Sequence, residues 1–546
     1  MTVGSKILGR LTGLPPAQVT AVSVDRDLEA KMPDGIVLFA DRWYPSEARG
    51  DQLPIVLIRT PYGRRQMGAI CRLFAERGYQ VVIQSCRGTF GSTGDFVPFQ
   101  NEREDGQATL EWLSAQPWFS GMVGTFGASY LGLTQWALAR EVPEFVRAMA
   151  LGATCSNFRQ IIYPGESFFL DTALSWIYQI HNQERGALRV IASHIRGSKA
   201  LRPAFNVFPL AAADQAVVGR PVPFYRDWLE HDQPGDPWWS SVDFSKDTAT
   251  VPAPSLVVGW YDMFLPFQLA DYEALRASGR SPRLTIGPWT HTSPSSLGAM
   301  LREAMACFDA QLRGGSARLS EAPVRLYVMG AKRWVELPDW PPPARVELWH
   351  LHSEGRLAAE PPLSSGSDHY RYDPADPTPS VGGSSLNFRN NGAKNNRALE
   401  ARPDVLCYTS QALSRDLTVA GPLFTRLHLR SSVDHTDFFV RLCDVWPNGR
   451  SVNISDGMVR VKPGLLTKAT DGSFSLRIPM WSTATTFKHG HRLRLQISSG
   501  AHPMYARNPG TGEHLGVETH LAVADQEVFH EPARPSALEL PITDVL

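Results

Sequence analysis

Residues 124–139 read GTFGASYLGLTQWALA. A run of β type, Met122 to Phe126, leads into Gly-Ala-Ser, and a helical pattern follows at once. This is the outline of a nucleophile elbow, usually G-x-S-x-G, in which a serine turns sharply from strand to helix. Gly127 stands two residues before Ser129, but Leu131 holds the position two after it, and the glycine arrives one later, at Gly132. The competing reading is a serine that caps the helix with its hydroxyl. Ser167, Ser281, Ser316, Ser384 and Ser451 also have a glycine two before them. Ser129 alone of these ends a strand of buried type and opens a helix. On this stretch alone both readings stand.

Working outward, the same strand-and-helix rhythm surrounds the elbow. IVLFADRWYP (36–45), LPIVLIRTPYG (53–63), QVVIQSCRG (80–88) and FVRAMALGA (145–153) are short, nearly continuous apolar runs. AICRLFAERG before the third has helical spacing and a glycine stop at Gly78. Strands buried on both faces, alternating with helices, predict a largely parallel α/β sheet. From about 146 to 245 the rhythm breaks into helical patterns, read as an inserted helical cap. Strand signals return at APSLVVGWYD (253–262), PRLTIGPW (282–289) and APVRLYVMG (322–330), with a helix expected from about Phe267 to Ser278. Prolines 341–343 mark a linker. Beyond it, RLHLRSS, FFVRLCDVW, SLRIPMW and RLRLQISSG alternate at period two, with Asn448-Gly449 as a hairpin signal, which predicts a jelly-roll β-sandwich. The segment GGSSLNFRNNGAKNN (382–396) reads as a mobile loop. The expected layout is an α/β-hydrolase domain in two parts, 1–145 and 246–342, a cap over 146–245, and a jelly roll over 343–546.

Bulk properties exclude several classes. The 54 basic and 54 acidic residues balance, so no polyanion-binding surface is expected and nucleic acid is excluded as a partner. No apolar run reaches the roughly 18 residues of a membrane span, and the first residues carry no secretory pattern, so a cytoplasmic location is expected. Cysteines 71, 86, 155, 307, 407 and 443 show no C-x-x-C spacing and read as free thiols. His489 and His491 alternate along an expected strand with no acidic or thiol partner nearby in sequence, so no metal site is expected.

Partners for Ser129 come from strand ends. In this fold the triad runs Ser, then Asp or Glu, then His, each just after a strand. Asp262 follows SLVVG, and His291 follows RLTIGPW as the only histidine between 232 and 349. Their spacing suits one strand–helix–strand unit. His291 would take the Ser129 proton as general base, and Asp262 would orient and stabilise the imidazole.

With these residues assembled, the chain resembles the cocaine-esterase-like (CocE/NonD) hydrolases, relatives of X-Pro dipeptidyl-peptidases and α-amino-acid ester hydrolases. RTPYG (59–63), CRGTFGSTGDF (86–96), WLSAQPWFSGMVGTFGASYLG (112–132), GWYDMF (259–264) and GPWTH (287–291) carry the match, in family order. The family writes its elbow G-x-S-Y-x-G, so the late Gly132 is the family's own form. By position the resemblance implies Ser129, Asp262 and His291 as triad, and an oxyanion hole from the Tyr130 backbone N–H and the Tyr62 hydroxyl. It also implies Phe264 as an acyl-pocket wall, with Trp176 in the cap as a second. Two departures stand out. Ser85 replaces an aspartate, which is read as changing a structural hydrogen bond. Phe264 and Leu265 occupy positions where α-amino-acid ester hydrolases hold a substrate ammonium with acids, leaving Glu166 as the nearest acid in the insertion. The glycine-rich GTFGSTG (88–94) lacks a following Lys-Ser/Thr and reads as a structural turn.

The expectation is a cofactor-free, metal-free serine hydrolase of carboxylic esters, or also amides, acting on small molecules with a largely apolar acyl group. A homodimer is compatible with it. The alternatives are an X-Pro dipeptidyl-peptidase, an α-amino-acid ester hydrolase or acyltransferase, and a non-catalytic ligand-binding jelly-roll protein.

Overall fold

The computed structural model describes residues 3–184, 201–314, 321–387 and 389–546. The chain packs as two compact units. One comprises 1–161, 235–259 and 264–324; the other comprises 162–234, 260–263 and 325–546.

The first unit is built on strands β1 (Val22–Lys31), β2 (Val37–Pro45), β3 (Ile55–Thr60), β4 (Gln80–Ser85), β5 (Val123–Ala128), β6 (Val146–Gly152), β7 (Ser255–Tyr261) and β8 (Arg283–Thr290). Their order is β1-β2-β4-β3-β5-β6-β7-β8. Strands β4, β3, β5, β6 and β7 run parallel, whereas β2 lies antiparallel to both β1 and β4. Every residue of β3, β4 and β7 is buried, which is why their sequences are mainly apolar runs rather than alternations. Helices α1 (Val3–Leu11), α2 (Gly68–Ala75), α3 (Glu102–Ser114) and α4 (Tyr130–Trp136) belong to this unit. In the core, Phe74 meets Phe126 at 5.2 Å and Phe308 at 5.9 Å. Burying such a ring contributes about 2–3 kcal/mol.

Two differences from the sequence expectation have clear causes. Strand β1 is not visible as a strand because a bulge between Asp25 and Leu28, with Asp27 at φ 52°, breaks its alternation. The sheet also continues past residue 145: β6 pairs with β5 and β7, so the helical segment starts only after Gly152.

That segment holds α5 (Phe158–Ile162), α6 (Leu170–Asn182), α7 (Ala213–Val218) and α8 (Pro223–Glu230). The expected helical stretch over 185–200 lies outside the described residues. Residues 162–234 form one unit with the C-terminal strands, although the sequence suggested two domains. Phe169 stacks on Tyr505 at 5.3 Å, and Ala506 donates its N–H to the Phe168 carbonyl at 2.8 Å. Gly165 packs so closely that a Cβ there would lie 1.9 Å from the Met458 carbonyl oxygen.

The C-terminal strands form one twelve-stranded network of jelly-roll type, antiparallel except where Arg356–Ala358 pairs in parallel with Leu406–Thr409. Leu417–Ser431 alternates buried and exposed side chains and pairs with Phe474–Phe487, Ala524–Glu531 and Ala537–Ile542. Thr436–Val445 and Ser451–Val461 form the hairpin signalled by Asn448-Gly449, with Gly449 at φ 80°. The described residues of 382–396, expected as a mobile loop, are tied down instead. Gly383 and Gly392 exchange backbone hydrogen bonds of 2.9 and 2.7 Å, and the Asn453 side chain bonds Lys394 N–H and the Gly392 carbonyl. The His489–His491 expectation also changes. Both precede the strand Arg492–Ser498, and His491 Nδ1 lies 2.8 Å from Asp444 Oδ1, an acid 47 residues away in sequence.

In the remaining first-unit segment, α9 (Leu265–Ala277) joins β7 to β8, and α10 (Pro294–Leu312) follows. Gly279 stops α9 at φ 81°.

Candidate active site

Ser129 sits between β5 and α4 with φ 57° and ψ −124°. A residue with a Cβ pays about 1–3 kcal/mol for such a conformation unless its surroundings impose it. Here they do. The Ser129 N–H donates to the Gly152 and Ala153 carbonyls at 2.9 and 3.1 Å, and the Ser129 carbonyl accepts from Gly132 N–H at 2.9 Å and Thr154 Oγ1 at 3.0 Å. The hydroxyl makes no capping bond to α4. The capping reading therefore fails: the backbone is held in a strained turn and the side chain is left out of it.

The two glycines have separate reasons. A Cβ on Gly127 would lie 2.3 Å from Leu131 Cβ, and one on Gly132 would lie 2.5 Å from Thr154 Cβ. Leu131 thus occupies the place of the usual second glycine, and the helix makes its close approach one residue later. Thr154 is itself braced: its N–H donates to Gln268 Oε1 on α9 at 2.9 Å. Two residues on, Ser156 donates its N–H and Oγ–H to Asp271 of α9, at 2.9 and 2.5 Å.

Asp262 is buried and directly follows β7; His291 is half-buried and directly follows β8. The family letters before them pack together. A Cβ on Gly259 would lie 2.2 Å from the Trp289 carbonyl oxygen, and one on Gly287 would lie 2.4 Å from the Trp289 ring. Only glycines admit the indole between these two strand ends. The Phe264 ring lies 5.4 Å from the His291 ring at 38°. Met263, Phe264 and Leu265 are all buried.

Tyr62 and Tyr130 are also brought together, with ring centroids 6.3 Å apart and edge-on. Tyr62 is half-buried and donates its N–H to Thr60 Oγ1 at 3.0 Å. The turn after it is fixed by Gly63 at φ 90°, where a Cβ would meet the Phe90 ring at 2.7 Å. Buried Arg64 follows, bonded to Asp41 at 3.2 Å, Asp27 at 2.5 Å and Ser85 Oγ at 2.7 Å. Ser85, the departure noted above, therefore serves this structural network. Tyr130 is buried, and its phenol donates to Glu102 Oε1 at 2.8 Å. Burial first, and then the Glu102 carboxylate, push that phenol well above the ordinary tyrosine range, so it stays a neutral donor.

Trp176 on α6 packs in the second unit against Trp228 at 6.0 Å and Phe224 at 5.9 Å. Glu166 lies in the turn Pro164–Glu166 of that unit. The glycine-rich 88–94 is a turn whose hydroxyls all bond locally. Arg59 and Glu102 were not singled out from sequence. The one available signal was a charge, Arg59, inside the apolar run LPIVLIRT. Among the described residues no group of His, Cys, Asp or Glu could hold a metal ion, and no helix is long and apolar enough to cross a membrane. The six cysteines are free thiols.

Residues 34–293 match the family model of the X-Pro dipeptidyl-peptidase (S15 family), and 318–539 match that of the X-Pro dipeptidyl-peptidase C-terminal non-catalytic domain. The chain is 32% identical to a cocaine esterase of Rhodococcus sp. (strain MB1 Bresler), over 95% of this chain and 98% of the relative. The chain belongs to the cocaine-esterase-like (CocE/NonD) family of serine ester hydrolases. A putative serine esterase of Mycobacterium bovis is 24% identical over 88% of this chain and 91% of its own. Among solved structures, an α-amino acid ester hydrolase superposes with a TM-score of 0.81 at 22% identity, covering 98% and 99% of the two chains. An aminopeptidase from a marine-sediment Thaumarchaeota archaeon gives 0.79 at 22% identity, covering 97% of each. These two likenesses show a shared fold over nearly the full length of the chain.

Proposed function

We propose that this CocE/NonD hydrolase cleaves carboxylic esters with a largely apolar acyl group, using Ser129 as nucleophile, His291 as general base and acid, and Asp262 as the residue that orients His291. The observation that carries the reading is Ser129 itself: a non-glycine residue at φ 57°, at the C-terminal end of a parallel strand, with its hydroxyl uncommitted to the helix it precedes. Order along the chain and position after β5, β7 and β8 support the other two members.

In this reading His291 takes the Ser129 hydroxyl proton as Oγ attacks the ester carbonyl. The Tyr130 N–H and Tyr62 hydroxyl hold the oxyanion of the tetrahedral intermediate, a contribution of about 3–4 kcal/mol per donor in comparable sites. Collapse breaks the C–O bond, and His291 returns the proton to the leaving alkoxide. Water then attacks the acyl-enzyme by the same route in reverse. Phe264 beside His291, with buried Met263 and Leu265, supports an apolar acyl group, since none of the three could match the charge of a substrate ammonium.

The test is a fluorophosphonate probe followed by a panel of aryl esters, benzoyl esters, X-Pro anilides and amino-acid esters. Stoichiometric labelling that vanishes in Ser129→Ala, with aryl or benzoyl esters turned over fastest, is expected. Labelling that survives the substitution would refute the nucleophile. X-Pro anilides hydrolysed faster than aryl esters would replace the substrate assignment with the peptidase reading.

A further inference from the structure

We infer that the buried pair Arg59–Glu102 is the positioning element of the oxyanion hole, acting on both donors at once: on Tyr130 through its phenol, and on Tyr62 through the end of β3. The inference rests on the ester-hydrolase reading above and extends it to residues that touch no substrate.

Glu102 opens α3 and is 4% exposed; Arg59 lies in β3 and is 3% exposed. Glu102 Oε2 stands 2.9 Å from Arg59 Nη2, an ion contact without hydrogen-bond alignment. The other Glu102 oxygen accepts the Tyr130 hydroxyl at 2.8 Å. Arg59 is fixed on its other sides, donating Nη1–H to the Glu102 carbonyl at 2.9 Å and Nε–H to Gln84 Oε1 at 3.1 Å. A carboxylate this far from water needs both a counter-charge and donors for its oxygens. Arg59 supplies the first and Tyr130 helps to supply the second.

The consequence for geometry follows from chain continuity. Tyr130 is the residue after Ser129 and the first of α4, so pinning its phenol pins the N–H that faces the developing oxyanion. Phe99 completes the clamp, stacking on the Tyr130 ring at 4.1 Å and donating its N–H to the phenol oxygen at 3.2 Å. Tyr62 lies three residues beyond Arg59. Thr60, between them, receives the Tyr62 N–H, and the Tyr62 ring meets the Tyr130 ring edge-on. A shift of the ion pair therefore displaces both donors. An element that only packed would affect stability alone. One that positions oxyanion donors affects the transition state and leaves ground-state binding intact.

The test compares wild type, Tyr130→Phe and Glu102→Gln in aryl-ester kcat and KM, in affinity for a boronic-acid transition-state analogue, and in melting temperature. Tyr130→Phe is expected to lower kcat about tenfold or more, with KM within about twofold and boronic-acid affinity falling in parallel. Glu102→Gln keeps an acceptor for the phenol but removes the charge facing Arg59, and is expected to move the same quantities in the same direction. If Tyr130→Phe does not fold, Glu102→Gln decides on these readouts. Variants that melt earlier yet keep wild-type kcat overturn the inference, as does a rise in KM alone. A wild type that neither labels with fluorophosphonate nor hydrolyses any ester instead removes the function on which the inference rests.

Discussion

Two turns of the first unit invite comparison. Both follow a buried parallel strand, both are rich in glycine and hydroxyl residues, and both hold a residue with a side chain at positive φ: Ser129 at 57° after β5, and Phe90 at 45° after β4. In the 88–94 turn every hydroxyl is committed. Thr89 Oγ1 bonds the Cys86 carbonyl, Ser92 Oγ bridges the Ser85 carbonyl and Phe39 N–H, and Thr93 Oγ1 receives Val37 N–H. In the elbow only the backbone is committed, and the Ser129 hydroxyl is not used to cap its helix. Their braces differ as well. The 88–94 turn is anchored by Arg87, charged and paired with Asp105 at 2.6 Å and Asp34 at 2.5 Å. The elbow leans on Thr154 and, through its loop, on the buried carboxyl of Asp271. A glycine-rich turn after a strand is thus not in itself a site. On the proposed reading, what marks one is a hydroxyl held at a strained position through bonds of its own backbone.

The sharpest way to break this contrast is Ser129→Ala. Ester hydrolysis should fall about 10⁴-fold or more, while the melting temperature stays nearly unchanged, because the hydroxyl bears no structural load. A large loss of stability would restore the capping role.

The second prediction concerns the braces. Burial pushes Asp271 up to about 7, with the Ser156 hydrogen bonds opposing. Its ordinary value is 3.8, so between about pH 4 and 7 the folded chain retains a proton that the unfolded chain gives up. Its contribution is complete below about pH 4 and is lost as pH rises through 7, at most about 4 kcal/mol. Thermal melts from pH 4.5 to 8.5 should therefore decline more steeply in wild type than in Asp271→Asn. Parallel curves would mean the carboxyl is already ionised in the folded chain.

Gly88→Ala probes the structural turn. The new Cβ at φ 67° would lie 2.3 Å from Phe96 N, for a loss of about 3 kcal/mol of stability. Activity per folded molecule should be unchanged; a selective loss of kcat would draw this turn into the site. The smallest effect is expected from Ser92→Ala, which leaves Phe39 N–H and the Ser85 carbonyl without their partner. A loss of about 1–2 kcal/mol in denaturant unfolding is expected. No measurable change would show that these hydroxyl bonds are dispensable.

Much of this was legible in the sequence because the relevant signals are local. Doubly buried strands write themselves as apolar runs, and the glycines at 127, 132, 259 and 287 each answer to a close approach near their own strand end. What could not be read joins distant residues. Nothing in sequence ties Glu102 to the phenol of Tyr130 or His491 to Asp444. A bulge hid β1, and Trp176 reads equally well as a pocket wall or as the partner of Trp228. The helical insertion looked like a separate domain because its docking onto Tyr505 and Met458 joins residues about 290 to 340 positions apart in the chain.

The parallel pairing of β6 with β7 bears on the order in which the molecule is made. Ala150 of β6 pairs with Ser255 of β7, and Ala153 donates its N–H to the Val257 carbonyl at 2.7 Å. Gly152, which pairs with Val257, and Ala153 are the residues whose carbonyls accept the Ser129 N–H. Closing so long a stretch of chain is slow and entropically costly, roughly a hundred residues having to be synthesised in between. A nascent chain therefore carries Ser129 well before it can hold that serine in its strained turn. If Ser129 is the nucleophile as proposed, chemical competence arrives as a late event of folding, and half-finished copies remain inert.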